Sequence, residues 1–568
     1  MRGAFDAIVI GAGAGGAAAA WRLTQRGARV LVLEAGPWFD PDRDYALHRP
    51  DWETHAFPRK PGSQGHHRYG EMQALDPAWD DLRSWHHDTG PLVQTGQRAV
   101  RTGYSHVRGV GGSTLHYVGE AHRLHPAAMA LKSQHGVGAD WPFGYAELEP
   151  FYVDAERLVG VAGPQATGAR WRSAPYPLPA HPLSRGSHTL VEAGRQLGQQ
   201  WHVNPRATLS QPYDGRPPCN HCGGCTRGCP RRDKGSVDQT FIRHALASGR
   251  CEVRARATAL TLLHGARRVV EGVRYIDERG RERTERAGLV VLAAGAIETP
   301  RLLLTNRSAT APEGIGNAHG QVGRHFLETL HWTSIALHPE PQASHAGLPA
   351  DAICWDFNAP DAIPGVIGGA RFHAATLDAE LAGPIKYATL LVDGWGAAHK
   401  QRLRRTVGHA LAVGAIGESL PHPKSYVDLD PQARDEQGRP LARIHSFVDE
   451  MACRRLRFMA QTCRAVLKQS GCGPLRMEYG SYDDFASTHV FGTCRMGQMA
   501  PDSVTNDRGQ VHEWGNLLIC DGSVFPSSGG GESPSLTIQA LALRSVDRFL
   551  QHERTEATRD AAPPVSRP

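Results

Sequence analysis

Residues 7–16 read AIVIGAGAGG, and this stretch decides the fold. Its first four residues are apolar and predict a buried strand, and the alanine-rich segment that follows predicts a helix. Gly11, Gly13 and Gly16 have the G-x-G-x-x-G spacing. The first makes the turn, the second admits a pyrophosphate to the backbone, and the third lets the helix pack on the strand. The stretch therefore predicts a dinucleotide site, with the phosphates at the helix N-terminus.

A second apolar run, residues 30–33, follows this helix and ends at Glu34. A strand, a helix and a second strand in this order predict a parallel sheet that is covered on both faces. The carboxylate of Glu34 is placed to accept hydrogen bonds from a ribose, and an acid at this position disfavours NADP. The motif does not distinguish FAD from NAD.

The layout of strand, tight turn and helix occurs twice more along the chain. Residues 289–293 reach a turn at Gly295, and residues 517–520 reach a turn at 521–523. A helix is predicted after each turn, the second one over residues 535–550. We expect the three pieces to converge on one nucleotide-binding layer.

The middle of the chain, from about residue 330 to residue 480, has a different pattern. Polar and apolar residues alternate at 426–430, which predicts antiparallel strands, and residues 448–470 predict a long amphipathic helix. The predicted fold class is therefore α/β, with a discontinuous Rossmann-like parallel-sheet domain and an α+β cap that contains an antiparallel sheet. Residues 553–568 are rich in proline, alanine and charge and predict a disordered tail.

Composition excludes several classes of protein. The 568 residues include 63 Lys and Arg and 57 Asp and Glu, for a net charge of +6. Because the basic residues are scattered among acidic ones, no nucleic-acid partner is predicted. No apolar run approaches the roughly 18–20 residues of a membrane span, so no direct membrane span is predicted. The first residues lack the pattern of a signal peptide, and we therefore expect a cytoplasmic location.

Further motifs make the chain similar to the glucose–methanol–choline (GMC) oxidoreductases. They occur in that family's order, and the resemblance extends from about residue 5 to residue 550. The segments are RGVGGSTLHY at 108–117, GAIETP at 295–300, HVFGTCRMG at 489–497 and DGSVFP at 521–526. Shorter segments resemble the sugar- and polyol-dehydrogenase branch; these are residues 140–142, 147–152 and 429–443.

The resemblance implies FAD as the cofactor, no nicotinamide, and an alcohol as the small-molecule substrate. Gly111 and Gly112 would bring backbone N–H groups to the flavin edge or the pyrophosphate. Asp521 would bind ribityl or phosphate-side groups, with a turn-forming role as the alternative. Three roles stay open for His116: covalent attachment of the flavin, packing against it, or a structural role. The predicted cofactor-binding residues are Gly11, Gly13, Gly16, Glu34, Gly111, Gly112, Ser113, His116, Gly295, Asp521 and Gly522.

Oxidation of an alcohol through a flavin needs a base for the hydroxyl proton and an acceptor for the hydride. An imidazole titrates near neutral pH, and His489 stands where the family has its active-site histidine. Ser533 stands before a proline where relatives such as cholesterol oxidase carry Asn. Serine donates and accepts a hydrogen bond but has a shorter reach. Glu532 turned inward, or a bridging water, is the alternative for this second position.

Four cysteines lie close together, with the spacing C-x2-C-x2-C-x3-C-P: Cys219, Cys222, Cys225 and Cys229. This spacing is that of a bacterial ferredoxin and predicts an iron–sulfur cluster. Inert thiols, zinc or disulfides are the alternatives. A cluster beside FAD would pass single electrons to a cytochrome or a quinone-linked partner, which favours a dehydrogenase over an oxidase. The resemblance to the dehydrogenase branch implies a small subunit and a cytochrome subunit as partners. A partner that carries an export signal would place the enzyme on the periplasmic side.

We therefore expect a two-domain FAD enzyme that oxidises a CH–OH group, on a sugar or polyol, and passes electrons to an acceptor other than oxygen. One alternative is an alcohol or sterol oxidase that uses oxygen, and the other is a flavin-binding electron-transfer subunit without turnover. The predicted FAD-binding domain comprises residues 1–40, 90–150, 205–325 and 500–552. The predicted cap comprises residues 41–89, 151–204 and 326–499.

Overall fold

The fold was analysed in a computed structural model of the chain. The structure describes residues 4–45, 47, 49, 52–54, 67–165 and 170–560, and the side chains of the last helix as far as Thr555.

Five parallel strands form the nucleotide sheet. In spatial order they are Cys251–Arg254, Val30–Leu33, Ala7–Ile10, Leu289–Leu292 and Leu517–Ile519. Every residue of the three central strands is buried, because helices cover both faces of the sheet. The predicted convergence of distant pieces on one parallel sheet is confirmed. The sequence pattern missed the edge strand Cys251–Arg254.

Three helices belong to this layer: Ala14–Gln25, Gly295–Thr305 and Ser535–Asp560. The first packs against the last, although about 500 residues separate them in the sequence. The last helix continues through Asp560, so the prediction of a disordered tail is wrong for residues 553–560. Residues 561–568 lie outside the described residues.

Eight antiparallel strands form the cap sheet. In spatial order they are Gly90–Pro91, Trp85–His86, Leu475–Gly480, Leu330–Leu337, Ala410–Gly417, Ala370–Ala374, Ala352–Cys354 and Trp201–Val203. The helix Glu450–Gln469 packs on this sheet and begins at Asp449, whose side chain accepts a hydrogen bond from Ala452 N. The predicted antiparallel sheet with a packed helix is confirmed.

Smaller sheets connect the two layers. Two have three strands: Thr258–His264, Val270–Ile276 and Glu282–Arg286, and Tyr426–Arg434, Pro440–His445 and His67–Tyr69. The alternating residues 426–430 thus belong to a separate sheet, which lies against the helix Gly295–Thr305. Three strand pairs complete the set: Leu327–Glu328 with Val490–Phe491, Ala99–Tyr104 with Asp484–Ser487, and Ala162–Gly163 with Leu178–Pro179.

Seven further α-helices occur in the described residues; among them Arg185–Gln196 packs on the cap sheet and Arg243–Ala247 on the edge strand of the nucleotide sheet. The seven are Pro41–Asp44, Leu131–His135, Tyr145–Val159, Arg185–Gln196, Arg243–Ala247, Pro384–Leu390 and Gly396–Thr406. Over the described ranges, no helix is both long and apolar enough to cross a bilayer. The division of the chain into the two sets of domain segments stays a prediction.

Candidate active site

The glycine-rich turn and the motif at 108–117 lie directly against each other. Gly112 has a φ of 53°, and a Cβ added there would lie 2.7 Å from the Cα of Gly13. Side chains at this contact would push the two turns apart, and glycine also adopts the left-handed backbone conformation without strain. Gly15 is not one of the three glycines of the motif, but it also makes a close contact. A Cβ there would lie 1.6 Å from the carbonyl oxygen of Cys520.

A cleft of about 1060 Å³ runs between the nucleotide sheet and the cap sheet. Its lining includes residues 257–259 and 434–437, the glycine turns, and residues of the cap sheet. The predicted site residues that line it are Gly11, Gly13, Glu34, Gly112, Ser113, His116, Gly295, Asp521, Gly522, His489 and Ser533. Gly16 and Gly111 stand behind this lining and pack the turns. The volume of the cleft and the glycine turns in its lining fit a dinucleotide such as FAD.

Glu34 closes the turn at the end of its strand. Its two carboxylate oxygens accept hydrogen bonds from Ala12 N at 2.9 Å and Gly36 N at 2.8 Å. Burial raises the pKa of Glu34, and these backbone donors oppose that rise. The carboxylate therefore fixes the backbone of the first glycine turn and lines the part of the cleft where a ribose is expected.

Asp521 joins two of the predicted turns. One carboxylate oxygen accepts hydrogen bonds from Gly295 N at 2.9 Å and Thr299 Oγ1 at 2.6 Å. The other accepts from Ser523 N at 2.9 Å and Ser523 Oγ at 2.5 Å. Burial raises the pKa of this carboxyl. Because both oxygens have protein donors, these contacts favour the turn-forming role over a direct bond to the cofactor.

His489 lies in the cleft, two residues after the strand Asp484–Ser487. Its carbonyl oxygen accepts hydrogen bonds from Thr329 N and Ser487 Oγ, both at 3.0 Å, which fix the backbone. Its ring makes no hydrogen bond to any residue that the structure describes. Burial lowers the pKa of His489 to about 4, so the imidazole is neutral at neutral pH and has a lone pair available for a proton.

His116 lies near His489 on the same cleft wall. Its Nε2 atom is buried and has no hydrogen-bond partner among the described residues. Burial, together with the charge of Lys234 and the nearby His489, lowers its pKa to about 3. A neutral ring with an unpartnered nitrogen toward the cofactor space is compatible with either contact that the sequence left open, packing or covalent attachment.

Ser533 lines the cleft but belongs to a buried polar network. Its Oγ donates to Glu120 Oε2 at 2.7 Å, and its N–H donates to His122 Nδ1 at 3.0 Å. The same Glu120 oxygen accepts from Arg371 Nη2 at 2.6 Å, and its other oxygen accepts from Asn204 Nδ2 at 2.8 Å. Burial opposes ionisation of Glu120, but Arg371 and the neighbouring donors outweigh it and hold its pKa well below the usual range.

Sequence reasoning missed Glu120 and Arg371. No motif marks Glu120. For Arg371 the available signal is its charge: it lies in the strand Ala370–Ala374, every residue of which is buried.

The alternative that placed Glu532 in the active site is wrong. Its Oε1 atom accepts hydrogen bonds from His125 N at 3.0 Å and Asn358 Nδ2 at 2.9 Å, and Arg170 lies 3.7 Å away. Glu532 is not among the residues that line the cleft. Its Oε1 atom is thus committed to His125 and Asn358, outside the cleft.

The cap end of the cleft is rich in hydrogen-bonding side chains. The strand Leu330–Leu337 and the residue before it contribute Thr329, His331 and Thr333. The strand Ala370–Ala374 contributes Arg371 and His373, and the strand Leu475–Gly480 contributes Tyr479. Small apolar residues such as Ala375 fill the spaces between them. Donors and acceptors spread over one wall suit a ligand with several hydroxyl groups.

The four-cysteine segment does not form a single-ion metal site. Among the described residues, only His86, His87 and Asp88 bring three His, Cys, Asp or Glu ligand atoms within 4.8 Å of one another. The zinc alternative therefore gains no support, because the thiols do not converge as tetrahedral zinc requires. The disulfide alternative is wrong, since all eleven cysteines are free.

Three of the four thiols lie in an environment that disfavours the thiolate form. Cys225 is buried, Cys219 and Cys229 are half-buried, and Cys222 is exposed. Burial and the charge of Asp233, to which the Cys229 Sγ donates at 3.4 Å, together raise the pKa of Cys229 to about 12. The predicted iron–sulfur ligation by Cys219, Cys222, Cys225 and Cys229 therefore gains no support from this arrangement.

Comparisons with known proteins agree with this architecture. Residues 6–331 and residues 421–542 each match a family model described as GMC oxidoreductase. The 2-methyl-1,2-propanediol dehydrogenase of Mycolicibacterium austroafricanum is 29% identical, over 99% of this chain and 99% of that protein. The fructose dehydrogenase large subunit of Gluconobacter japonicus is 28% identical, over 96% of this chain and 97% of that protein. A formate oxidase of Aspergillus oryzae, studied for its FAD modification, has the same fold, with a TM-score of 0.64 at 13% identity over 98% of this chain and 100% of that one.

Proposed function

Because this chain belongs to the GMC oxidoreductase family, we propose that it is an FAD-dependent dehydrogenase that oxidises a CH–OH group of a sugar or polyol. The observation that carries the proposal is the neutral, unpartnered imidazole of His489 in a cleft between the glycine turns and a polar cap wall. The glycine turns account for cofactor binding, and the cap wall accounts for a hydroxylated substrate.

The residues of the cleft have separate roles in the proposed oxidation. His489 accepts the proton of the substrate hydroxyl, because its lone pair is available and its ring has no other described partner. Bound FAD supplies the acceptor for the hydride that leaves the carbinol carbon, at flavin N5. The cap wall orients the substrate through Thr329, His331, His373 and Tyr479. Placing all these groups in one cleft limits the access of water to the reacting atoms.

The substrate class rests on the chemistry of the cap wall. Thr329, His331, Thr333, Arg371, His373 and Tyr479 give this wall hydroxyl, imidazole and guanidinium groups, with Ile416 as a larger apolar side chain among them. A sterol would need a broad apolar wall instead. Two relatives are named for a diol and a sugar, which agrees with a polyhydroxylated substrate.

The proposed electron acceptor is a small subunit and a cytochrome, not oxygen. A relative named as a large subunit supports the existence of a partner chain. An iron–sulfur relay through the four cysteines is not part of the proposal, because none of the relatives named above and no feature of the described residues supports a cluster at this segment. The proposed location is the cytoplasm, with co-export to the periplasm as the alternative. Cell fractionation distinguishes the two.

The test is reduction of the FAD-loaded protein by a panel of sugars and polyols without oxygen, followed by bleaching of the flavin absorbance. We expect at least one polyol to reduce the flavin, and His489→Asn to slow this step by at least about 100-fold, the usual contribution of a general base. His489→Asn should retain FAD. The exposed His345 offers a matched control, and His345→Asn should behave like the wild type.

Three outcomes would contradict the proposal. Unchanged reduction in His489→Asn would remove His489 from the mechanism. A flavin that dithionite reduces but no alcohol reduces would favour the electron-transfer subunit. Rapid reoxidation of the reduced protein by oxygen with formation of peroxide, and no reaction with dye acceptors, would favour the oxidase.

A further inference from the structure

The buried network behind Ser533 points to an oxyanion site in the cleft. We propose that Arg371, held in place by Glu120, binds the substrate oxygen from which His489 takes the proton. The proposal rests on the proposed function, since it concerns the same alcohol. It makes Arg371 a catalytic residue and Glu120 a positioning residue.

Ser533 cannot supply this contact as a donor. Its hydroxyl proton is directed to Glu120 Oε2 at 2.7 Å, and its backbone N–H is directed to His122. The hydroxyl oxygen can still accept a hydrogen bond. A substrate oxygen that has lost its proton needs donors, so an acceptor at this position gives it no stabilisation.

Arg371 has the donor that Ser533 lacks. Its Nε atom donates to Gly531 O at 2.9 Å, and Nη2 donates to Glu120 at 2.6 Å. The remaining nitrogen, Nη1, is buried and has no partner among the described residues, in a side chain that is only 2% exposed. A buried charged donor without a partner costs free energy, which a ligand oxygen can recover. Arg371 lines the cleft with His489, so this ligand oxygen is in the substrate space.

The ion pair with Glu120 fixes the guanidinium. Two of its three nitrogens are held by Gly531 and Glu120, so the planar group presents the third in one direction. Glu120 also compensates the charge of Arg371, which lets a cation remain in a buried site. The Asn204 amide holds the second oxygen of Glu120 at 2.8 Å and completes the support.

The chemistry balances without another reactant. The hydroxyl proton goes to His489, and the electron pair of the O–H bond stays on the substrate oxygen as developing negative charge beside Arg371. As the hydride leaves the carbinol carbon for the FAD of the proposed function, the electron pair on the oxygen forms the second bond of the carbonyl group, and the negative charge disappears. The contact with Arg371 is therefore strongest while the charge exists, which is the condition for lowering the barrier.

Turnover provides the first test. We expect Arg371→Lys to lower kcat at least tenfold and Arg371→Ala to lower it by more, while both retain FAD. Added guanidinium should restore part of the activity of Arg371→Ala and should not affect Arg371→Lys. Arg404→Lys, the same change at an exposed arginine of the helix Gly396–Thr406, should leave kcat unchanged. A kcat for Arg371→Lys within threefold of the wild type, or an equal loss in Arg404→Lys, would overturn the proposal. If Arg371→Ala does not fold, Arg371→Lys decides.

Anion binding provides a second test that needs no turnover. Acetate imitates the substrate oxyanion, and its binding to the oxidised FAD protein is measured by calorimetry. We expect the wild type and Arg404→Gln, a change at an exposed arginine, to bind acetate alike, and Arg371→Gln to bind it at least tenfold more weakly. Equal binding by Arg371→Gln and the wild type would refute the oxyanion site. A wild type that binds acetate through Arg371 but oxidises no alcohol would indicate failure of the proposed function, not of the oxyanion site.

Discussion

Glu418 should make the protein less stable as the pH rises from 5 to 8. It directly follows the cap strand Ala410–Gly417, is 0% exposed, and neither of its carboxylate oxygens has a hydrogen-bond partner among the described residues. Burial raises its pKa from 4.5 to about 7, Arg455 opposes the rise, and the neighbouring Glu532 adds to it. The folded chain therefore keeps a proton at Glu418 over a pH range in which the unfolded chain releases it.

The sign and the size of the effect follow from this difference in pKa. Unfolding releases a proton between pH 4.5 and about 7, so the stability present below pH 4.5 is lost as the pH rises through the folded-state pKa. A shift from 4.5 to about 7 corresponds to about 3 kcal/mol. With an unfolding entropy of about 2.1 cal/mol/K per residue, this moves the melting temperature of a chain of this length by about 2–3 °C.

Glu418→Gln removes the ionisation and keeps the shape of the side chain. We expect the variant and the wild type to melt at the same temperature at pH 4.5, and the variant to melt about 2–3 °C higher at pH 8. Scanning calorimetry at one heating rate across this pH range is the assay, because large proteins often unfold irreversibly. The exposed Glu313 provides the control, and Glu313→Gln should show no such difference. A difference that stays constant from pH 4.5 to pH 8, or a less stable variant at pH 8, would refute the reasoning.

Three further predictions concern the cofactor and active-site residues. Because the pKa of His489 lies at about 4, kcat/KM should stay flat from pH 8 down to pH 5, and an acid limb with a pKa of 6–7 would contradict the neutral environment of the ring. Gly112→Ala should lose bound FAD, because its Cβ would meet the backbone of Gly13; the ratio of flavin to protein absorbance measures the loss. The control is Gly90→Ala, which also has a positive φ but open space around its Cβ and should keep FAD. Cys222→Ala should leave the melting temperature, the iron content and kcat unchanged, since its thiol is exposed; a loss of iron in this variant would instead support the cluster.

The sequence determined those parts of the protein that depend on short segments. The strand, glycine turn and helix at residues 7–25 are set by neighbours within one βαβ unit, and the same layout recurs at residues 289–305 and 517–524. His489 was predicted because its motif is contiguous, and the structure places it in the lining of the cleft. In each case the residues expected to contact the cofactor or the substrate lie in the same short segment that sets the local backbone conformation.

Other elements were missed because their signals are not local. The edge strand Cys251–Arg254 is only half-buried and shows no long apolar run. The last helix passes its predicted end because its first half packs on Ala14–Gln25 and nucleates the turns that follow. The cysteine spacing predicted metal ligation, but spacing does not fix the burial and charge that set the state of a thiol.

The tertiary structure alone decided how the substrate end of the cleft is built. Glu120 and Arg371 are 251 positions apart in the sequence, and Glu120 and Ser533 are 413 apart. A contact of this kind leaves no periodicity or spacing, because each partner lies on an element whose own pattern is set by its local packing. Which hydrogen bonds are made, and which buried donor is left over for a ligand, depends on the distances between elements that only the folded chain brings together.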